Sequence, residues 1–198
     1  MKRVAVFFLF FLFAHGGFCQ TDTIVNTSSK PYDIKSCKIT YQFYNGIQQG
    51  EKTIVFDDYG AVEKMTATTI MTGQTADNAR TGDTTHEMFI KKNGLLYKIN
   101  MTDGVGFKLK ANETIPLNLD VLRPGQVLIG TDTVLEKECT VIEVFGSLRT
   151  WYWNRIPIKK QVVGVGLTSK VEEYAITVDE NYSIGETEFE IPIGIKLK

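Results

Sequence analysis

Few residues in this 198-residue chain are of types that do chemistry, and their spacing argues against most reactions. Nucleophilic catalysis by Ser or Cys needs a base that titrates near neutrality. Beyond the N-terminal segment only His86 is of that type, and it sits where a polar loop enters a strand, the usual place of a solvated imidazole. Cys37 and Cys139 stand about a hundred residues apart, far from the short spacings of zinc ligands. Asp57-Asp58 presents paired carboxylates, but Gly60 follows closely and the stretch reads as a hairpin turn. Asp77-Asn78 and Asp83 supply oxygen ligands without the spacing or closing Glu of an EF-hand. Gly164-Val165-Gly166 lacks the third glycine and the following helix of a phosphate cradle. The expectation is therefore no catalytic residue, no metal and no cofactor.

The aromatic residues are more suggestive. Alternation along a strand puts Trp151 and Trp153 on one face and Tyr152 on the other, and Tyr41 and Phe43 share one face of an earlier strand. Such residues either fill a β core or line an apolar cavity inside a curved sheet. Tyr41, Phe43, Trp151 and Trp153 are the candidate lining of such a cavity. Cys37 and Cys139 lie on the faces of Ile39 and Val141. Export would permit a Cys37–Cys139 disulfide, and two buried thiols fit the same positions, so both readings stand.

These residues need elements to position them. Hydrophobic residues make up 43% and charged residues 23%, which are globular values. With Lys+Arg 22 against Asp+Glu 23 there is no excess of positive charge, which argues against nucleic acid as a partner. Lys2 and Arg3 precede an apolar run from Val4 to Ala14, too short to span a bilayer and suited to a signal peptide over residues 1–19. Cleavage after Cys19 removes two basic residues and His15 and leaves a mildly acidic exported chain, periplasmic or secreted, with no membrane span. The alternative is lipidation of Cys19, which would tether the protein to a membrane. Residues 20–33 read as a flexible leader and 34–198 as one β domain.

Strands are predicted around Cys37–Tyr44, Thr53–Phe56, Ala61–Met71, Glu87–Lys91, Leu95–Asn100, Val127–Val134, Cys139–Phe145, Arg149–Trp153, Ile158–Val163, Val171–Val178 and Phe189–Ile195. Asn93-Gly94 is the clearest hairpin turn, and Thr114–Leu122 is the one candidate helix. The fold class is all-β: a single antiparallel sheet curved into an incomplete barrel, with at most one short helix.

Three stretches resemble a known group. They are Gly50 to Gly60, Val134 to Val141 with Thr150 to Lys159, and Phe189-Glu190-Ile191-Pro192. Together they are similar to small exported bacterial proteins related to the lipoprotein-carrier (LolA/LolB-like) superfamily. That resemblance implies an incomplete antiparallel barrel around a hydrophobic cavity. No Arg here matches the carriers' cavity Arg by position, although Arg123 and Arg155 lie near the motifs. The expectation is a non-catalytic exported protein that binds a lipid or acyl chain in the concave face. The alternative is an envelope structural or interaction domain, with a filled core and a protein partner.

Overall fold

The computed structural model describes residues 30–72, 82–112, 121–162 and 171–198. Cys19, Asp77-Asn78, Gly164-Val165-Gly166 and all but the end of Thr114–Leu122 lie outside the described residues. Twelve strands form one sheet: β1 (Cys37–Tyr44), β2 (Gln48–Asp57), β3 (Val62–Met71), β4 (Thr84–Lys92), β5 (Leu95–Asn100), β6 (Val105–Lys110), β7 (Gln126–Val134), β8 (Lys137–Val144), β9 (Leu148–Trp153), β10 (Ile156–Val162), β11 (Glu172–Asp179) and β12 (Lys196–Leu197). Their order is β12-β6-β5-β4-β3-β2-β1-β11-β10-β9-β8-β7. Every pairing is antiparallel except β12 with β6. The sheet does not close into a barrel, and β12 and β7 are its outermost strands among the described residues.

The chain folds into two meanders because its turns accept left-handed backbone. Asn93 and Gly94 have φ 52 and 70, as the type I′ turn requires. Leu135-Glu136 (φ 50 and 60) and Asn154-Arg155 (φ 46 and 62) make the same kind of turn with no glycine. β6 carries Val105, Phe107 and Leu109 in alternation with Lys108 and Lys110, a pattern missed among the predicted strands. The predicted tail strand Phe189–Ile195 is not a strand. Pro192 has no N–H to give a ladder and Gly194 sits at φ 91, so pairing starts only at Lys196.

One face of the sheet carries the main core. Cys37, Ile39 and Tyr41 of β1 stand opposite Phe56, Ile54 and Lys52 of β2. They share a cluster with Cys139, Val141, Trp151, Trp153, Ile156, Ile158 and Ala175. We call this the inner face. Each large side chain buried there contributes about 1.5–3 kcal/mol.

A single layer leaves both faces open, and two irregular segments cover them. Residues 31–35 cross one end of the inner core. Tyr32 lies 4.6 Å from Phe56, ring to ring, and its hydroxyl donates to Glu63 Oε2 at 3.1 Å. The segment is pinned by Tyr32 N–H to Tyr59 O (3.0 Å), Tyr59 N–H to Lys35 O (2.8 Å) and Asp33 N–H to Asn154 O (3.2 Å), with Arg155 paired to Asp33. Its dock is the turn Asp58–Gly60, where three successive residues have positive φ. Across the outer face runs the C-terminal tail. Tyr182 donates to Glu188 (2.9 Å), Glu188 pairs with Lys64, Glu190 with Lys92 (3.0 Å), and Ile195 and Leu197 close over Gly106 beside Ile99.

The inner face also buries a charge pair. Lys52 Nζ lies 2.6 Å from Glu173 Oε2, and Lys160 reaches the other oxygen at 3.3 Å. Burial holds the Lys52 ammonium below its ordinary pKa. Burial alone would raise the Glu173 carboxyl, but Lys160 and Lys52 outweigh it and hold the carboxyl below the usual range.

This architecture can be tested at two points. A Cβ on Gly60 would sit 2.6 Å from the Tyr32 ring at φ +89, so Gly60→Ala should cost at least about 1–2 kcal/mol in denaturant unfolding; an unchanged midpoint would contradict the docking of residues 31–35. Removing one partner of the buried pair strands the other, so Glu173→Gln should cost about 3–5 kcal/mol at neutral pH. The depressed Glu173 value means that its stabilisation is complete above the unfolded carboxyl value, about 4.3, and is lost as pH falls through the folded value. Lys52 gives a slope of the same sign at higher pH: its buried ammonium, stranded in the variant, is relieved as pH rises through its lowered value. The variant should therefore lose the acid-side slope in unfolding titrations and recover part of its stability at alkaline pH. A Glu173→Gln profile parallel to that of the parent would contradict this account.

Candidate functional site

The four aromatic residues singled out from the sequence do not share one environment. Tyr41, Trp151 and Trp153 are 1%, 6% and 8% exposed and lie within the inner core. Each has its polar handle satisfied or its ring face capped inside the protein. The Tyr41 hydroxyl donates to the carbonyl of Pro157 at 3.2 Å, and Lys52 Nζ stands 4.7 Å from its ring centroid. Trp151 Nε1 donates to Asp132 Oδ2 at 2.8 Å, with Lys159 4.5 Å from the ring. Lys137, paired with Glu180, covers Trp153 at 4.8 Å. Burial raises the Tyr41 hydroxyl well above its ordinary pKa, so it stays a protonated donor. The amphipathic lysines lay their stems over the rings and keep their charge in contact with acids or solvent.

Phe43 differs from these three. It is half-buried and lines a cleft of about 480 Å³ together with Gln42, Tyr44, Gln49, Gly50, Glu51, Thr68, Ile70 and Tyr174. Register brings these residues together from four adjacent strands. Gln42 faces Glu51 on β2 and Tyr174 on β11, Tyr44 faces Gln49, Glu51 faces Thr68, and Gln49 faces Ile70. Most of them alternate with the core positions and so point to the outer face. Sequence reasoning found Phe43 but missed the cleft, because it followed the buried face of β1 and not the Gln42 and Tyr44 that alternate with it.

The reactive groups are spread apart. His86 lies within β4, exposed, with Nδ1 3.1 Å from Thr68 Oγ1. No carboxylate orients its other nitrogen among the described residues. Cys37 and Cys139 are free thiols, 0% and 1% exposed. Burial, helped by Glu180 and Asp179, pushes the Cys37 thiol up to about 12, and burial also raises Cys139. Neither is a thiolate at neutral pH. Asp57 and Asp58 enter the turn that receives residues 31–35. Among the described residues, no group of three or more His, Cys, Asp or Glu could hold a metal ion, and no helix is long and apolar enough to cross a membrane.

The second unusual surface is the β7 edge. It pairs only with β8 among the described residues, and Val127, Leu128 and Ile129 are 56%, 53% and 49% exposed. A bulge between Leu128 and Gly130 breaks the register there. Phe145, 79% exposed, extends the patch: its N–H donates to Gly125 O at 2.7 Å just before the strand begins.

No family profile matches the chain, and no curated protein matches it by sequence. Solved structures do resemble it. An uncharacterized conserved protein from Thermus thermophilus superposes with TM-score 0.53 at 7% identity, over 83% of this chain and 90% of that one. MucB gives 0.46 at 8% identity over 84% of this chain and 60% of its own. MucB in complex with MucA(peri) gives 0.48 at 8% identity over 83% and 56%. At such identities the likeness to the Thermus protein speaks for the shared fold alone.

Proposed function

We propose that this chain is an exported, non-catalytic binding protein that holds a protein partner along its β7 edge and does not enclose a lipid in its curved face. Export rests on the basic Lys2-Arg3 and the apolar run that follows. The observation that carries the proposal is the contrast between the packed core of β1, β2 and β8–β11 and the apolar β7 edge, which has a strand partner on one side alone among the described residues. Tyr41, Trp151 and Trp153 are buried within that core, each with its own hydrogen bond or lysine cap. Meanwhile Val127, Leu128, Ile129 and Phe145 stay exposed beside an unpaired row of backbone groups.

An open strand edge is costly to leave bare, because it recruits extended chains, and proteins usually guard it with lysine, proline or charge. β7 carries neither Lys nor Pro, and its one acid, Asp132, is occupied by Trp151. The partner that fits is an extended segment with alternating apolar residues, adding a strand by backbone pairing and seating side chains on Leu128 and Phe145. The bulge at Ile129 limits the length of regular pairing and thereby favours a short segment.

The test is site-specific photocrosslinking in the cells that export the protein. A crosslinker at Val127 or Leu128 should capture one partner, a crosslinker at exposed Glu136 should not, and Ile129→Lys should abolish the capture. Because Ile129 is exposed, that substitution should shift stability by no more than about 0.5 kcal/mol. Equal capture from Glu136, or none from β7, would overturn the proposal. So would a concentration-dependent homodimer lost in Ile129→Lys, which would put a second copy in the partner's place.

A further inference from the structure

The geometry points to a neutral saccharide as the ligand of the outer-face cleft at β1, β2, β3 and β11. This site is independent of the β7 edge and of the inner face.

Its lining combines two kinds of group that sugars need together. A pyranose ring offers apolar C–H faces and a rim of hydroxyls that both donate and accept. Tyr44 and Tyr174 are 38% and 37% exposed, and with Ile70 they give the cleft apolar and aromatic surface for a ring face, while Phe43 borders it from the inner side beside Gly50. Gln42, Gln49 and Glu51 supply amides and a carboxylate for the rim, beside a Thr68 hydroxyl already engaged with His86 Nδ1. Planar amides and carboxylates are suited to adjacent hydroxyls, because each presents two polar atoms side by side.

The hydrogen-bond inventory leaves this capacity open. Tyr174 donates to Gln42 Oε1 at 2.9 Å, which fixes that amide and leaves its NH₂ as a donor. Gln49 and Glu51, both exposed, have no side-chain partner among the described residues. Gly50 lies between them; a Cβ there would come within 2.1 Å of the Thr68 carbonyl and 2.8 Å of the Phe43 ring, so no side chain can occupy the position. The volume of about 480 Å³ falls within the roughly 300–1,000 Å³ of small-molecule sites.

Charge narrows the class. Among the described residues no Lys or Arg lines the cleft and Glu51 is its one ionised group, which disfavours phosphates, sulfates and carboxylates. The polar rim is equally unsuited to an acyl chain, which would strand the amides unpaired. The smaller cleft of about 240 Å³ on the same face contrasts with it. There Lys64 is paired with Glu188, Tyr182 also donates to Glu188, and Lys38 lies over the Tyr182 ring, so its polar groups serve the tail.

Saturation-transfer NMR and calorimetric titration of the purified chain with maltotriose, cellotriose and chitotriose test this assignment. At least one should bind, with saturation strongest on ring C–H protons. The double variant Gln49→Ala, Glu51→Ala should weaken it roughly tenfold or more. Tyr174→Ala should weaken it further, and Ile129→Lys should leave it unchanged. Thermal unfolding should keep its midpoint in the double variant, since neither residue has a partner to lose. Absence of binding by all three trisaccharides, or binding undisturbed by the double variant, would overturn the assignment. Neither outcome bears on the partner at β7.

Discussion

A single sheet has two faces, and among the described residues no second layer of strands or helices covers either. The solution is local. On the inner face, curvature brings β1 and β2 into one core with β8 to β11, residues 31–35 close one end, and lysine stems lie over Tyr41, Trp151 and Trp153. On the outer face the C-terminal tail crosses β1 to β6, held by Glu188 on Lys64 and Glu190 on Lys92. Much of what is irregular in the fold, from the strained turn at Asp58–Gly60 to the late start of β12, serves this covering. The buried Lys52–Glu173 pair belongs to the same arrangement, because capping an aromatic with an ammonium inside the core requires a carboxylate beside it.

Where the covering stops, two surfaces are left exposed. The tail does not reach the Gln42–Tyr174 end of the outer face, and the inner core does not absorb Val127, Leu128 or Ile129. The two surfaces differ in chemistry: one is an amphipathic cleft with unpaired amides, the other an apolar backbone edge.

The sequence made the class of the fold legible because period-two alternation is strong wherever one face is buried, as in Cys37–Tyr44 and Leu148–Trp153. It was equally informative at Asn93-Gly94, where the turn needs positive φ and those residue types supply it. Leu135-Glu136 makes the same turn without such residues, because the ladder between β7 and β8 imposes it from both sides. β6 is absent from the predicted strands although Val105, Phe107 and Leu109 alternate, and the predicted strand Phe189–Ile195 fails because Pro192 cannot donate. The site was less legible. Alternation says which residues share a face, so it could pair Trp151 with Trp153. It does not say that a lysine from another strand will cap each ring. The edge at β7 was hidden because its run of Val127, Leu128 and Ile129 reads as a buried strand, and only strand order shows it to be outermost.

The central claim is that Tyr41, Trp151 and Trp153 are packed core of the inner face and not the lining of a ligand cavity. Trp151 and Trp153 are the only two tryptophans of the chain, so its indole emission reports on that face alone. The most direct measurement is a titration of Trp fluorescence with a dibrominated fatty acid, whose bromines quench an indole that they touch. The account predicts blue-shifted emission that the brominated chain leaves unquenched up to saturation of the solution. Saturable quenching, relieved by competition with unbrominated fatty acid, would mean that an acyl chain enters among these rings and would contradict it.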